Sequence, residues 1–297
     1  MGGPDAYLIW LVAAAACGLA FFMLYRPGTL MAPSRRLAAG LLAVLLGVLG
    51  ARLFYFFARL QYLVPMYGWG HVTDLAPQGL AFGGVVLGVL GAGWLTSRLT
   101  RVPADPLLDR LAPAALLTLA LARAGEYTVH IGEGPYVQNA ALQFFPLAIR
   151  NEWGEWYFAI FVLEALCALA VLLWMLGRRG WPAGRAWRRA LLYLLLTQVL
   201  CESLRAESLR WGFVRVHQLF AVLVAFVLLL EDLRRRGTRP WLRIGLFLLG
   251  TAVLIGIEFA LDKWPAAPHW ALYLVMAATL AGMGAAVVGS RKAAGRG

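Results

Sequence analysis

Residues 37–60 read LAAGLLAVLLGVLGARLFYFFARL, and this stretch decides the class of the fold. Its only charged residues are Arg52 and Arg59. A helix rises about 1.5 Å per residue, so roughly 20 mostly apolar residues cross the ~30 Å hydrocarbon layer of a bilayer. Runs of comparable length and character recur at 6–25, 79–97, 107–125, 155–177, 187–208, 212–232, 241–261 and 268–289. The nine together predict an all-α polytopic membrane protein with about nine transmembrane helices. The fourth and sixth runs end in charged residues.

The composition of the 297-residue chain agrees, with 61% apolar and only 14% charged residues and a mean hydropathy of +0.71. A soluble domain carries about a quarter charged residues, so a water-soluble globule is excluded. Three Cys exclude a disulfide scaffold. The formal charge of +12 would suit a nucleic-acid ligand, but 25 of the 27 basic residues are Arg scattered between apolar runs. With the N-terminus outside, nineteen of the 27 fall in loops on the cytoplasmic face and seven on the other. That bias predicts the N-terminus outside and the C-terminus cytoplasmic. The positive charge is then a topology signal, and no nucleic-acid partner is expected.

No Lys or Arg precedes the first run, so it reads as a retained span rather than a cleaved signal peptide. Cys17, Cys167 and Cys201 lie within spans, without metal-ligand spacing, and read as small packing residues. No cofactor or metal is expected.

Charges in or beside hydrocarbon are costly and by default face a protein interior or a water-filled cavity. Here they gather in the outer half: His71, His130, His217 and His269, with Arg123, Glu126, Glu133, Glu202, Arg205 and Glu207. Helical spacing places Arg52, Tyr55 and Arg59 on one face of the second span, and Gln198, Glu202 and Arg205 on one face of the sixth. Arg123, Glu126 and His130 share a face if the fourth span continues past Gly125. Glu202 has Arg205 within one turn as a partner, while Glu164 and Glu258 read as isolated acids. These residues either form interhelical ion pairs that fix packing, or supply an outward-facing anion site, since guanidinium forks suit phosphate. A transporter using Glu164 and Glu258 would need polar faces reaching the cytoplasmic half, which the sequence does not show. The small residues of Gly79–Gly88, including Gly83 and Gly84, favour close helix approach or a backbone exposed to a ligand.

Several motifs in order resemble the bacterial prolipoprotein diacylglyceryl transferase family. They are Gly50-Ala51-Arg52-Leu53 with Tyr55, the Gly-rich stretch Gly79–Gly88, Asp109-Arg110-Leu111-Ala112-Pro113, Arg123-Ala124-Gly125 with Gly134, Glu202-Ser203-Leu204-Arg205, and Gln218-Leu219. The resemblance covers residues 1–235 as a seven-helix membrane domain. Residues 236–297 add two transmembrane helices and a basic cytoplasmic tail. The chain differs from the family at Gly83, where the family has His, at Glu126, where it has Asn, and at Gln198, where it has Arg.

The resemblance implies a multi-pass protein of the bacterial cytoplasmic (inner) membrane. Its activity would be transfer of diacylglyceryl from phosphatidylglycerol to an acceptor thiol at the outer side of the membrane. It implies phosphatidylglycerol or another anionic phospholipid as partner, with a lipobox-containing precursor protein as acceptor. By the same resemblance Arg123, Glu126 and His130 are the catalytic candidates. Arg52, Tyr55, Gly83, Gly84, Glu202, Arg205, His217 and Gln218 are the substrate-binding candidates. Arg123 would clamp the phosphodiester, with Glu202 and Arg205 orienting it. With no His at position 83, the base would be Glu126, His130 or His217. The alternative is a catalytically silent or altered paralogue that binds anionic lipid or a lipoprotein precursor.

Overall fold

The computed structural model describes residues 3–25, 30–74, 79–178, 180–212, 214–236, 239–264 and 268–288. Arg26, Arg179 and the tail residues Arg291, Lys292 and Arg296, which enter the charge bias, lie outside them. Ten α-helices are described: α1 (Pro4–Leu24), α2 (Pro33–Ala58), α3 (Leu60–Tyr67), α4 (Phe82–Thr100), α5 (Ala104–Gly125), α6 (Ile160–Leu176), α7 (Arg185–Leu204), α8 (Val216–Arg236), α9 (Pro240–Lys263) and α10 (His269–Val288). Nine of them fall on the nine apolar runs, and the short α3 is the tenth. Pro opens α1, α2 and α9, where its fixed φ suits the first turn and its missing N–H is not needed. Six helices (α1, α2, α4, α8, α9 and α10) are long and apolar enough to cross a membrane, and α6 is an apolar helix of 17 residues.

The chain is not wholly α-helical. Two antiparallel ladders sit at one end of the bundle, β1 (Ala148–Arg150) with β2 (Trp156–Phe158), and β3 (Arg210–Trp211) with β4 (Val214–Arg215). The fifth and seventh runs were expected to be helical from 155 and 212, but α6 begins at Ile160 and α8 at Val216. Trp156-Tyr157-Phe158 is as apolar as the helix behind it. Aromatic residues also suit a pleated surface, and Ile149 pairs directly with Tyr157.

Two interfaces position the site. Along the seam between α2 and α4, a Cβ on Gly84 would run into the backbone carbonyl of Gly50, and one on Gly88 into that of Leu46. The small-residue stretch therefore packs backbone on backbone. Gly84→Val should destabilise the protein at the upper end of the about 1–3 kcal/mol typical of overpacking, because backbone cannot rotate aside. Thermal unfolding in detergent measures it, and an unchanged midpoint would mean that the seam is looser than described. At the opposite end of the bundle, the Asp109 carboxylate accepts from Gly184 N at 2.6 Å and Trp187 N at 2.9 Å. It satisfies orphan donors at the start of α7 from α5. Arg188 there reaches Asp105 at 2.8 Å and Glu231 at 2.8 Å, joining α5, α7 and α8.

Candidate functional site

A cavity of about 480 Å³ lies among α1, α2, α4 and α5, its head closed by the ends of α5, α7 and α8. Its deep wall is apolar or small: Ala15, Leu19 and Phe22 on α1, Gly40, Ala43 and Gly47 on α2, Leu111 and Ala114 on α5. Along α1 it runs from Tyr7 to Phe22, which at 1.5 Å per residue is roughly 22 Å, more than half the ~30 Å hydrocarbon layer. Its head is polar, lined by Tyr7, Tyr55, Arg59, Arg123, Glu126, Glu202, Arg205, Ser208 and His217.

Four of the charges near this head form a closed ring. Arg123 Nε lies 2.8 Å from Glu164 Oε2, and Arg123 Nη1 pairs with Glu126 Oε1. Arg205 donates from Nε to Glu164 Oε1 at 2.9 Å and from Nη2 to Glu164 Oε2 at 2.6 Å and Glu126 Oε2 at 3.1 Å. Gln198 Nε2 adds a bond to Glu164 Oε1 at 3.2 Å. Among the described residues, neither Arg123 Nη2 nor Arg205 Nη1 makes a hydrogen bond to a carboxylate. Gly132, at φ +75°, crosses beside it, and a Cβ there would run into the Glu126 carboxylate.

Two expectations drawn from helical spacing fail because the helices stop. Arg205 follows the last residue of α7 with ψ 137°, so its side chain leaves the Glu202 face and turns into the ring. Glu202 is 1% exposed, and neither carboxylate oxygen has a hydrogen-bond partner among the described residues. Likewise α5 ends at Gly125, residues Glu126–Val129 form a 3-10 turn and His130 takes φ +52°. His130 therefore does not share the Arg123 face. Its Nδ1 meets Glu133 Oε1 at 2.9 Å, and it does not line the cavity. Nor are the two acids isolated: Glu164 is the hub of the ring, and Glu258 bonds Arg215 and Gln218.

Beyond this geometry, comparison with known proteins is decisive: the family model described as prolipoprotein diacylglyceryl transferase matches residues 6–231. The chain belongs to the prolipoprotein diacylglyceryl transferase family. Among its relatives is a phosphatidylglycerol–prolipoprotein diacylglyceryl transferase of Clostridium novyi, 26% identical over 67% of this chain and 80% of the relative. Proteins of the same name from Lactococcus lactis and Streptococcus pneumoniae are 28% and 27% identical. They cover 79% and 80% of this chain, and 92% and 94% of their own length.

Within this prolipoprotein diacylglyceryl transferase family fold, the remaining candidates fall into two groups. Tyr55 lines the cavity, with the guanidiniums of Arg52 and Arg59 each 5.7 Å from its ring centre. Arg52 itself does not line it; its guanidinium donates to the backbone carbonyls of His71, Val72 and Gly79, tying α2 to the segment before α4. Gly83 and Gly84 lie outside the cavity wall. Gln218 also lies outside it, donating to Val199 O at 3.1 Å and Glu258 Oε1 at 2.6 Å.

His217 is different. It lines the cavity, its Nδ1 is buried without a hydrogen-bond partner among the described residues, and its ring stacks on Phe54 at 6.1 Å. Phe54 is also the group that a Cβ on Gly83 would meet, at 2.9 Å. His217 thus stands one ring away from Gly83. Tyr7, 5% exposed in the cavity wall, is a site residue the sequence did not mark. Nothing in its neighbours on α1 separates it from the other interfacial aromatics.

Proposed function

We propose that this chain transfers diacylglyceryl from phosphatidylglycerol to the thiol of a lipobox Cys at the outer face of the bacterial cytoplasmic membrane. In this reading nine helices span the bilayer with the N-terminus outside. Residues 1–235 form the transfer domain, and 236–297 an added helical hairpin with a basic tail. The observation that carries it is the cavity: an apolar channel of acyl-chain dimensions whose head holds two half-buried arginines, Arg123 on α5 and Arg205 just past the end of α7.

The chemistry follows from that arrangement. Acyl chains occupy the apolar channel, which places the phosphodiester beside Arg123 and Arg205. Nη2 of the first and Nη1 of the second supply donors for its oxygens, while Glu126 and Glu164 hold both guanidiniums fixed. His217 takes the thiol proton, because the thiolate is the nucleophile. The thiolate sulfur attacks the glycerol carbon bearing the phosphate, a C–S bond forms, the C–O bond breaks and glycerol 1-phosphate leaves with the electron pair. The arginines stabilise the charge that collects on that phosphate. Glu126, fixed between both arginines, serves as a positioning group, and His130, paired with Glu133, is set aside as the base.

One observation favours a second reading. The ring is charge-balanced, and position 198 offers an amide where the family has a further Arg, so a silent member that retains lipid without transferring it would look the same. Mass spectrometry of a lipobox peptide, incubated with the protein in phosphatidylglycerol micelles, separates the two. A diacylglyceryl mass shift that needs the lipid is the expected result. No shift, with phosphatidylglycerol co-purifying, would leave the silent lipid binder.

A further inference from the structure

We infer that Glu258, on α9 beyond the stretch that matches the family, is a positioning residue for the transfer site, holding the last turn of α7 through Arg215 and Gln218. The inference rests on the proposed function only for what that turn does in turnover. The turn carries Glu202 and leads into Arg205, so its placement sets where both meet the cavity.

The last carbonyls of any helix lack intrahelical donors. Here Arg215 Nη1 donates to Glu202 O at 2.6 Å, and lies 3.4 Å from both Arg205 O and Ser208 Oγ. Gln218 Nε2 donates to Val199 O, one turn earlier, at 3.1 Å. Neither gripping side chain is held by α7 or α8 alone. Glu258 Oε2 lies 3.3 Å from Arg215 Nε, and Glu258 Oε1 accepts from Gln218 Nε2 at 2.6 Å. One carboxylate from the added hairpin thus fixes both grips. Without it, Arg215, 8% exposed, would be a buried cation with no ion-pair partner among the described residues, the arrangement that buried charges tolerate least. The hairpin adds a weaker hold from α10, where Tyr273 OH lies 3.5 Å from Ser203 O. The neighbouring pair Arg210 and Asp262 is 3.9 Å apart and more than a third exposed on both sides, and contributes little.

The test compares Glu258→Ala, Glu258→Gln and Asp262→Ala with the unaltered protein. Three readouts are taken: lipid-transfer kinetics, thermal unfolding, and amide hydrogen exchange over residues 199–216 in phosphatidylglycerol micelles without peptide. Glu258→Ala should lower kcat by between about 10- and 100-fold, the scale of a small misplacement of reacting groups. KM for the lipid should change little, the unfolding midpoint should fall because the buried Arg215 loses its acid, and exchange over 199–216 should quicken. Glu258→Gln, which keeps an oxygen acceptor for Arg215, should recover most of the rate and the protection, and Asp262→Ala should match the unaltered protein. Unchanged kcat and unchanged exchange in Glu258→Ala would overturn the inference. So would equal losses of rate and thermal stability in both Glu258 variants, which would make the contact ordinary packing. If the unaltered protein transfers nothing, the proposed function fails, while exchange over 199–216 still decides whether Glu258 braces the turn.

Discussion

Arg123→Ala is expected to lower diacylglyceryl transfer by at least about 100-fold, within the range found when one preorganised donor to a developing anion is removed. Arg123 stands at the head of the cavity with Nη1 bonded to Glu126 and Nε beside Glu164, while Nη2 makes no hydrogen bond among the described residues. It is therefore held still before substrate arrives, and a phosphate bound beside it gains interaction as the C–O bond breaks. Arg205 also contacts both carboxylates, so the variant does not strand either acid, and the folded protein should elute as before. Arg123→Lys should recover little, since an ammonium cannot engage two carboxylates and a phosphate in a planar fork. Full activity in Arg123→Ala would remove the clamp from the mechanism.

The second large effect belongs to His217. His217→Ala should reduce kcat by between about 100- and 10,000-fold, the usual contribution of a positioned general base. Its signature is the pH dependence. A base works only in its deprotonated form, so the rate of the unaltered protein should fall on the acid side, and the variant should lose that limb while keeping its slow residual rate. The competing bases are separable by the same assay. His130 is engaged by Glu133 away from the cavity, so His130→Ala should stay near the unaltered rate. A variant at His217 with a normal rate and a normal acid limb would return the search to Glu126.

Much of this arrangement was legible in the residues. The long apolar runs gave the helices because hydrocarbon length and helix rise leave few alternatives, and Arg123, Glu126, Glu202 and Arg205 stood out as charges that such runs do not tolerate casually. A helical face stops where its helix does, at Leu204 in α7 and Gly125 in α5. Glu202 and Arg205 stand three apart, yet the helix ends between them and the arginine finds other partners. Glu164 read as isolated because its partners arrive from α5 and α7, a proximity that no single-helix spacing records. The strands were hidden for a related reason, since Trp156-Tyr157-Phe158 continues the apolar run into α6. His217 was one of three candidate bases in the sequence; only the Phe54 ring, stacked on His217 and against Gly83, shows that its imidazole neighbours that position.

The four-membered ring at the cavity head carries a further consequence for how substrate arrives. Two guanidiniums and two carboxylates within hydrogen-bonding distance cancel, so little electric field leaks beyond the ring. A protein that draws in an anion over long range needs an unbalanced charge, and its capture rate then collapses as salt shortens the ~10 Å screening length. Here attraction begins only on contact. Under the proposed function, lipid arrives by diffusing sideways within its own leaflet, and the rate of encounter should be indifferent to ionic strength.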